Sequence, residues 1–473
     1  MVRELDSPAP EPFILIDFGS TYTKVVAVDA AGPLLLGVAQ APTTVSTNVT
    51  IGLSEALSRL KEQVPGLDLQ RARKLACSSA AGGLRMVTVG LVPDLTVEAA
   101  QRAALGAGAK LVGTFAYKLS SREVVRIAEL RPDIVLLAGG TDGGNEEVIL
   151  HNAEVLATSD LETQVVVAGN KAVTPVIERL LREKGKSVRV TENVMPDLNQ
   201  LNVEPARAII REIFIERIVM AKGLSDARAM VEGILMPTPA AVLEAATCLA
   251  QGAEGEPGLG ELVVVDVGGA TTDVHSVARG TPTQPHVLAR GLPEPYAKRT
   301  VEGDLGIRYN APTILESVGL TKLAQSLLKL DRQLNLAPAV EELSRDVGRI
   351  PQDELGWALD VALASAAVEV AVHRHAGRIR SAFTLQGEVI LLYGKDLTAI
   401  PTLIGTGGVF KYGKGPRRVL EKALYDPQDP ESMCPKAPRM LIDGEYIMAA
   451  MGLLATRRAA AAVRLMKQHL RPA

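Results

Sequence analysis

Two segments of this 473-residue chain carry the same chemically capable residues in the same order. Asp17-Phe18-Gly19-Ser20-Thr21-Tyr22-Thr23-Lys24-Val25 follows one apolar run. Asp266-Val267-Gly268-Gly269-Ala270-Thr271-Thr272-Asp273-Val274 follows another, 249 positions later, and Asp, Gly, Thr and Val coincide at four aligned positions. A tight glycine turn aims successive backbone N–H groups at one anion, and without a Cβ nothing obstructs the approach. Hydroxyls at Ser20, Thr21, Thr23, Thr271 and Thr272 add donors, and Lys24 adds a point charge. An Asp at the end of each strand can hold Mg²⁺, directly or through water. Together these groups suit the phosphate tail of a nucleotide.

Strands and glycine turns must position them. Phe13-Ile14-Leu15-Ile16-Asp17 reads as a strand that turns at Gly19-Ser20-Thr21 and returns at Lys24-Val25-Val26-Ala27-Val28, a hairpin. Leu262-Val263-Val264-Val265-Asp266 opens the second one. From about residue 70 to 200, short apolar runs alternate with helical stretches: Leu75–Ser79, Ala109–Gly113, Ile134–Gly139, Val165–Gly169 and Val188–Val190. That alternation predicts βαβ units and a parallel sheet covered on both faces. Mostly helical sequence follows from Glu204 to Ala250, then a polar Gly-rich spacer, Glu254–Gly260. The stretch from about 310 to 385 is largely helical, and strands return near 389. Leu403-Ile404-Gly405-Thr406-Gly407-Gly408 closes one of them, and a helix is expected from Tyr446 to the end. Two equivalent hairpins half a chain apart imply two related lobes facing each other.

The two hairpins resemble the phosphate-1 and phosphate-2 motifs of the actin, sugar kinase and Hsp70 ATPase superfamily, and the segment 403–408 resembles its adenosine motif. The resemblance implies an α/β, two-lobed actin-like (ribonuclease H-like) ATPase fold with a βα-repeat insertion in the first lobe. It implies a first lobe over 1–250 holding the 70–200 insertion, a second over 261–435, and a C-terminal helix over 436–473 returning to the first. Carried across, Asp17 and Asp266 organise Mg²⁺ and its waters and are the catalytic carboxylates. Gly19, Ser20, Thr21, Tyr22, Thr23, Lys24, Gly268, Gly269, Ala270, Thr271 and Thr272 clamp the ATP phosphates. Gly405, Thr406, Gly407 and Gly408 border the adenosine.

Three further stretches are similar to the glutamate-mutase-associated MutL family, which is unrelated to the mismatch-repair protein of that name. They are Cys77–Met86, Leu137–Asn145 and Val301–Gly306. Members of this family accompany adenosylcobalamin-dependent mutases and aminomutases, so the resemblance implies an ATP-driven reactivating or chaperone-like role with a mutase as protein partner. A small-molecule kinase of the sugar kinase type and an actin-like scaffold are the competing readings.

Departures from the superfamily pattern bear on catalysis. Actin-like ATPases and Hsp70s carry a Gln or Glu shortly before phosphate-2 to position the attacking water. Here Met236 or Leu243 takes that place, neither of which orients water, and nearby Glu244 reads as an exposed helix residue. Slow or partner-dependent hydrolysis is therefore expected. Asp304 follows phosphate-2 where a kinase's acceptor acid precedes it, and reads as a turn former. The loop Gly139–Gly144 does not fit G-x-G-x-x-G and reads as a structural βα turn. His373 and His375 stand two apart on a helix and cannot chelate one metal, and His275 reads as a strand residue.

Composition excludes several classes. Net charge is −3 and only 3% of residues are aromatic, so neither a basic face nor stacking platforms for nucleic acid are expected. Cys77, Cys248 and Cys434 are far apart, which argues against a disulfide framework or zinc site and for a reducing interior. The first residues, Met1-Val2-Arg3-Glu4-Leu5-Asp6-Ser7-Pro8, lack the basic and apolar regions of a secretory signal. The most apolar stretch, Trp357 to Val372, contains Asp360 and Glu369 and reads as a buried helix rather than a membrane span. A soluble, cytoplasmic protein is expected.

Overall fold

Phe13, Ile14, Leu15 and Ile16 are fully buried and form the spine of β1 (Pro12–Phe18), which hydrogen-bonds to a neighbour on each side. Burying each such side chain contributes about 1.5–3 kcal/mol, which fixes this strand at the centre of its sheet. The computed structural model describes residues 9–44, 48–79, 84–220, 232, 234–319, 321, 323, 327, 335–385 and 387–473. Residues 80–83 of the Cys77–Met86 motif, and 221–231 and 233 of the expected helical stretch, lie outside them.

β1 pairs antiparallel with β2 (Tyr22–Asp29), which pairs antiparallel with β3 (Leu34–Pro42). On its other side β1 pairs parallel with β4 (Arg73–Ser78), and β4 with β10 (Ile234–Pro237). The helix α1 (Val49–Gln63) joins β3 to β4 and starts on Asn48, whose side chain accepts the Thr50 N–H. The second lobe repeats this plan. β13 (Leu262–Val267) pairs antiparallel with β14 (Thr272–Val277), and β14 with β16 (Ala297–Glu302). β13 also pairs parallel with β19 (Thr402–Thr406), and β19 with β20 (Arg439–Asp443). Orders β10-β4-β1-β2-β3 and β20-β19-β13-β14-β16 match strand for strand, with β21 (Leu470–Pro472) added beyond β20. The fold is therefore the α/β, two-lobed actin-like arrangement, two ribonuclease H-like sheets each opening on a hairpin with an Asp at its turn.

Two helices run between these sheets. α7 (Thr238–Gln251) follows β10 and α13 (Met448–His469) follows β20. They share one core with β1, β4 and β13 through Ala241, Ala245, Leu249, Met451, Leu453 and Leu454. Their backbones almost touch: a Cβ on Gly452 would stand 1.8 Å from the Ala241 carbonyl oxygen. α13 breaks at Arg458 (φ −141°, ψ 68°), whose guanidinium binds Glu11 at 2.7 and 2.8 Å. The other face of the second sheet is covered by α10 (Glu354–His375). That helix is long and apolar enough to cross a membrane, yet Leu363, Ala364, Val368, Ala371 and Val372 are fully buried in the core. Asp360 within it forms a buried pair with Arg308. A three-stranded sheet, β15 (Val287–Arg290), β18 (Gly387–Tyr393) and β17 (Arg378–Thr384), completes this unit.

The second unit, Ala81–Met220 with Gly291–Pro293, is an all-parallel sheet. It comprises β5 (Arg85–Gly90), β6 (Lys110–Ala116), β7 (Ile134–Leu137), β8 (Gln164–Val167) and β9 (Val188–Val190), in the order β6-β5-β7-β8-β9. The helices α2 (Glu98–Gly106), α3 (Ser121–Glu129), α4 (Glu147–Thr158) and α5 (Thr174–Glu183) alternate with its strands. The βα repeats thus occur as expected, with one correction. Leu75–Ser79, the first of the apolar runs, pairs with β1 and belongs to the first lobe's sheet. The loop Gly139–Gly144 is a braced structural turn: buried Asn170 accepts from Gly143 N–H, and buried Asn193 donates to the Gly140 carbonyl.

Candidate functional site

Antiparallel register sets Asp17 opposite Lys24 and Asp266 opposite Asp273. Asp17 is 4% exposed, and its Oδ2 lies 3.0 Å from Lys24 Nζ. Its Oδ1 accepts the Thr238 hydroxyl at 2.6 Å, with Cys77 Sγ at 3.7 Å. Lys24 Nζ also stands 3.5 Å from the centre of the Tyr446 ring. Burial opposes the lysine's charge, but Tyr446 and Asp17 outweigh it and hold the ammonium above its usual range. Burial pushes the Tyr446 phenol up to about 12. Tyr446 itself adopts φ +57°, a left-handed conformation that a bulky residue keeps only where its surroundings hold it.

Asp266 is the exception among the carboxylates here. Asp273 is paired with Arg299 at 2.6 Å, and Asp443 accepts Thr406 Oγ1 together with the Ile447 and Met448 N–H groups. Asp266 Oδ1 is buried with no hydrogen-bond partner. Burial first, then the nearby Asp273 charge, raise its pKa to about 7, while Lys24 opposes the rise. An orphaned carboxylate oxygen in an acidic setting fits a cation. Among the described residues no three His, Cys, Asp or Glu side chains converge on one metal. The donor set therefore suits Mg²⁺ that keeps most of its waters and takes one or two carboxylates.

The turns are built for close approach. Gly19 N–H binds the Tyr22 carbonyl at 3.1 Å, and a Cβ there would stand 2.5 Å from that oxygen. Gly268 N–H binds the Thr271 carbonyl in the same way at 2.9 Å. A Cβ on Gly269 would lie 3.6 Å from Thr21 Oγ1, so the two turns face each other. Ser20, Tyr22 and Ala270 are partly exposed at these turns, as is Thr271, whose hydroxyl binds Asp273 at 2.9 Å. Thr23 and Thr272 are not brought to the cleft. Both are fully buried, with the Thr23 hydroxyl on Thr43 at 3.1 Å and the Thr272 hydroxyl on the Leu305 carbonyl at 2.7 Å.

Gly405, Thr406, Gly407 and Gly408 end β19 and open α11 (Gly408–Tyr412). Gly407 has φ +119°, and a Cβ there would meet the Val267 carbonyl oxygen at 2.3 Å, so this turn lies against the end of β13. Gly408 faces open space. A cavity of about 240 Å³ opens beside Lys24 and Tyr446, with Gln40, Arg59, Lys411 and Tyr412 among its lining.

Sequence reasoning did not single out Thr238, Asp273, Arg299, Tyr446 or Asp443. Asp273 had a signal, since it occupies in the second hairpin the position of Lys24 in the first. The other expectations fall outside the cleft. Asp304 pairs with Arg374 at 3.2 Å, Glu244 is exposed, His373 binds the Glu369 carbonyl, and His375 is buried between Ser276 and Thr300.

The family model described as "MutL protein" matches residues 13–470. Protein MutL of Clostridium tetanomorphum is 47% identical over 460 residues, covering 97% of this chain and 99% of the relative. Among solved structures, a glycerol dehydratase reactivase aligns at TM-score 0.34 and 12% identity, over 95% of this chain and 100% of that one. Gluconate kinase from Lactobacillus acidophilus aligns at TM-score 0.36 and 9% identity, over 98% of this chain and 93% of that one. Likenesses at these scores carry nothing about activity. The sequence match over almost the whole length is decisive, and the chain belongs to the MutL protein family.

Proposed function

We propose that this protein is an ATP-binding accessory factor of an adenosylcobalamin-dependent mutase, such as glutamate mutase or an aminomutase, with a reactivating or chaperone-like role. The observation that carries the nucleotide reading is the pair of facing turns with the unpartnered Asp266 Oδ1 at their base. Asp17 and Asp266 would hold Mg²⁺, directly or through water. The turns Gly19–Tyr22 and Gly268–Thr271 and the Lys24 ammonium would hold the β- and γ-phosphates, and Gly405–Gly408 the adenosine. Bound Mg²⁺ would neutralise phosphate charge and polarise the terminal phosphoryl group. Thr23 and Thr272 serve the site by anchoring the strands that carry the turns.

Hydrolysis in this reading is slow without a partner. Glu244 is exposed, and the Met236 and Leu243 side chains have no group that orients a water. ATP would draw the lobes together about the α7–α13 crossing, and its loss would release them, a hinge motion passed to the bound mutase. The physical use would be to open the mutase so that damaged cobalamin leaves and intact cofactor enters. The Asp304–Arg374 pair does not favour a kinase reading, which needs a free acceptor acid. We place the protein in the cytoplasm.

Purified protein, inactivated mutase, ATP and fresh adenosylcobalamin test this together. ATP-dependent recovery of mutase activity is expected, and none under any nucleotide condition would refute the role.

A further inference from the structure

The segment Glu302–Asn310 is a strap between the second glycine turn and α10. On the turn side, the N–H groups of Ile307, Arg308 and Tyr309 donate to the Gly268 and Gly269 carbonyls at 3.2, 2.9 and 2.9 Å. Asn310 Nδ2 donates to the Ala270 carbonyl at 2.7 Å and to that of Gly303 at 3.0 Å. The fit leaves no slack, because a Cβ on Gly306 would come within 2.2 Å of the Ala270 backbone. The carbonyls of Gly268, Gly269 and Ala270 are thus all tied to the strap, while Gly268 N–H is held within the turn by the Thr271 carbonyl.

On the helix side, Arg308 grips Asp360 with both arms of its guanidinium, at 2.8 and 2.6 Å. Both side chains are nearly buried, at 11% and 5% exposure. A paired, desolvated fork of this kind is geometrically strict and costly to break. Glu302 and Asp304 meet Arg374 on the last turn of the same helix, but that guanidinium is 45% exposed and its grip is correspondingly weak.

We propose that Arg308 is a positioning residue that holds the phosphate-2 turn in its receiving form and, through Asp360, transmits terminal-phosphate occupancy to α10. This rests on the nucleotide reading above. Any shift of Gly268–Ala270 on phosphate binding must move the strap, and the strap moves the first turns of α10. Among the described residues no hydrogen-bonded ion pair ties Gly405–Gly408, where the base and ribose would lie, to α10; that turn meets the helix only through the apolar packing of Val409 and Phe410.

Hydrogen exchange over residues 354–364, compared between ATP-saturated and adenosine-saturated protein, reads the transmission. In the wild type, exchange there slows with ATP and not with adenosine. In R308M, saturated with ATP, that slowing is lost. By calorimetry R308M also binds ATP about tenfold more weakly, with adenosine affinity changed less than about twofold. R308K keeps the charge but not the fork, and recovers part of both effects. Should R308M fail to fold, D360N is read in its place. Equal slowing in R308M, no slowing in wild type that binds ATP, or ATP and adenosine weakened alike would each overturn the proposal. Wild type that binds no ATP at all overturns the nucleotide reading itself, and this inference with it.

Discussion

Gly452→Ala perturbs the crossing of α7 and α13 and nothing else. The new methyl carbon would stand 1.8 Å from the Ala241 carbonyl oxygen and 2.6 Å from its carbon. A carbon–oxygen contact is comfortable at about 3.3 Å, so the helices must part by about 1.5 Å at this point. Overpacking of this kind costs about 1–3 kcal/mol, and the clash is with rigid backbone on fully buried Ala241, so the upper half of that range applies. Alanine's better helix propensity returns about 1 kcal/mol. The net loss is about 1–2 kcal/mol, which lowers Tm by about 1–3 °C in the compact unit that holds both helices, Met1–Ala80, Ala221–Arg290 and Glu294–Ala473. Differential scanning fluorimetry without nucleotide reads it directly. An unchanged or raised Tm would refute the claim that backbone contact at Gly452 sets the helix spacing.

Three other outcomes are expected. Gly408→Ala meets nothing in the fold, so Tm stays within about 1 °C, yet nucleotide binding weakens because the methyl enters the space proposed for adenosine. Calorimetry and fluorimetry on one preparation separate the two effects. Lys24→Met leaves the buried Asp17 carboxylate without its counter-charge, a loss of about 3 kcal/mol or more, read by denaturant titration. Asp266 has a folded pKa raised to about 7. Its contribution to stability is therefore complete below about pH 4 and is lost as pH rises through about 7. Asp266→Asn should flatten the stability-versus-pH curve over that window, and a curve of unchanged shape would contradict the assignment.

The architecture was legible because the lobes announce themselves locally. Phe13–Asp17 and Leu262–Asp266 are apolar runs that stop at an Asp and a glycine, a pattern contained within nine residues. β10 was not, since Ile234–Pro237 sits inside a stretch whose composition favours helix and becomes a strand only by pairing with β4. The start of the insertion is hidden in the sequence for the same reason: Leu75–Ser79 resembles the βα runs after it, and only its partner, β1, assigns it elsewhere.

The site divides likewise. Asp17, Gly19, Lys24, Asp266 and Gly268 are read from one motif. Thr238 and Tyr446 reach Asp17 and Lys24 from more than 200 residues away, and spacing along the chain holds no trace of that. Thr23 and Thr272 mislead in the opposite sense. They stand in the motif at strand positions whose side chains point into the core, where the Thr43 hydroxyl and Leu305 carbonyl receive them.

The central claim is that Asp17, Asp266 and the two glycine turns form one Mg²⁺–nucleotide site. Isothermal titration of the full chain with ATP, with and without Mg²⁺, tests it most directly when repeated on Asp266→Asn. Saturable binding at one site per chain is predicted, strengthened by Mg²⁺ in the wild type and insensitive to Mg²⁺ in the variant. Absence of ATP binding, or an equal response to Mg²⁺ in both proteins, would contradict it.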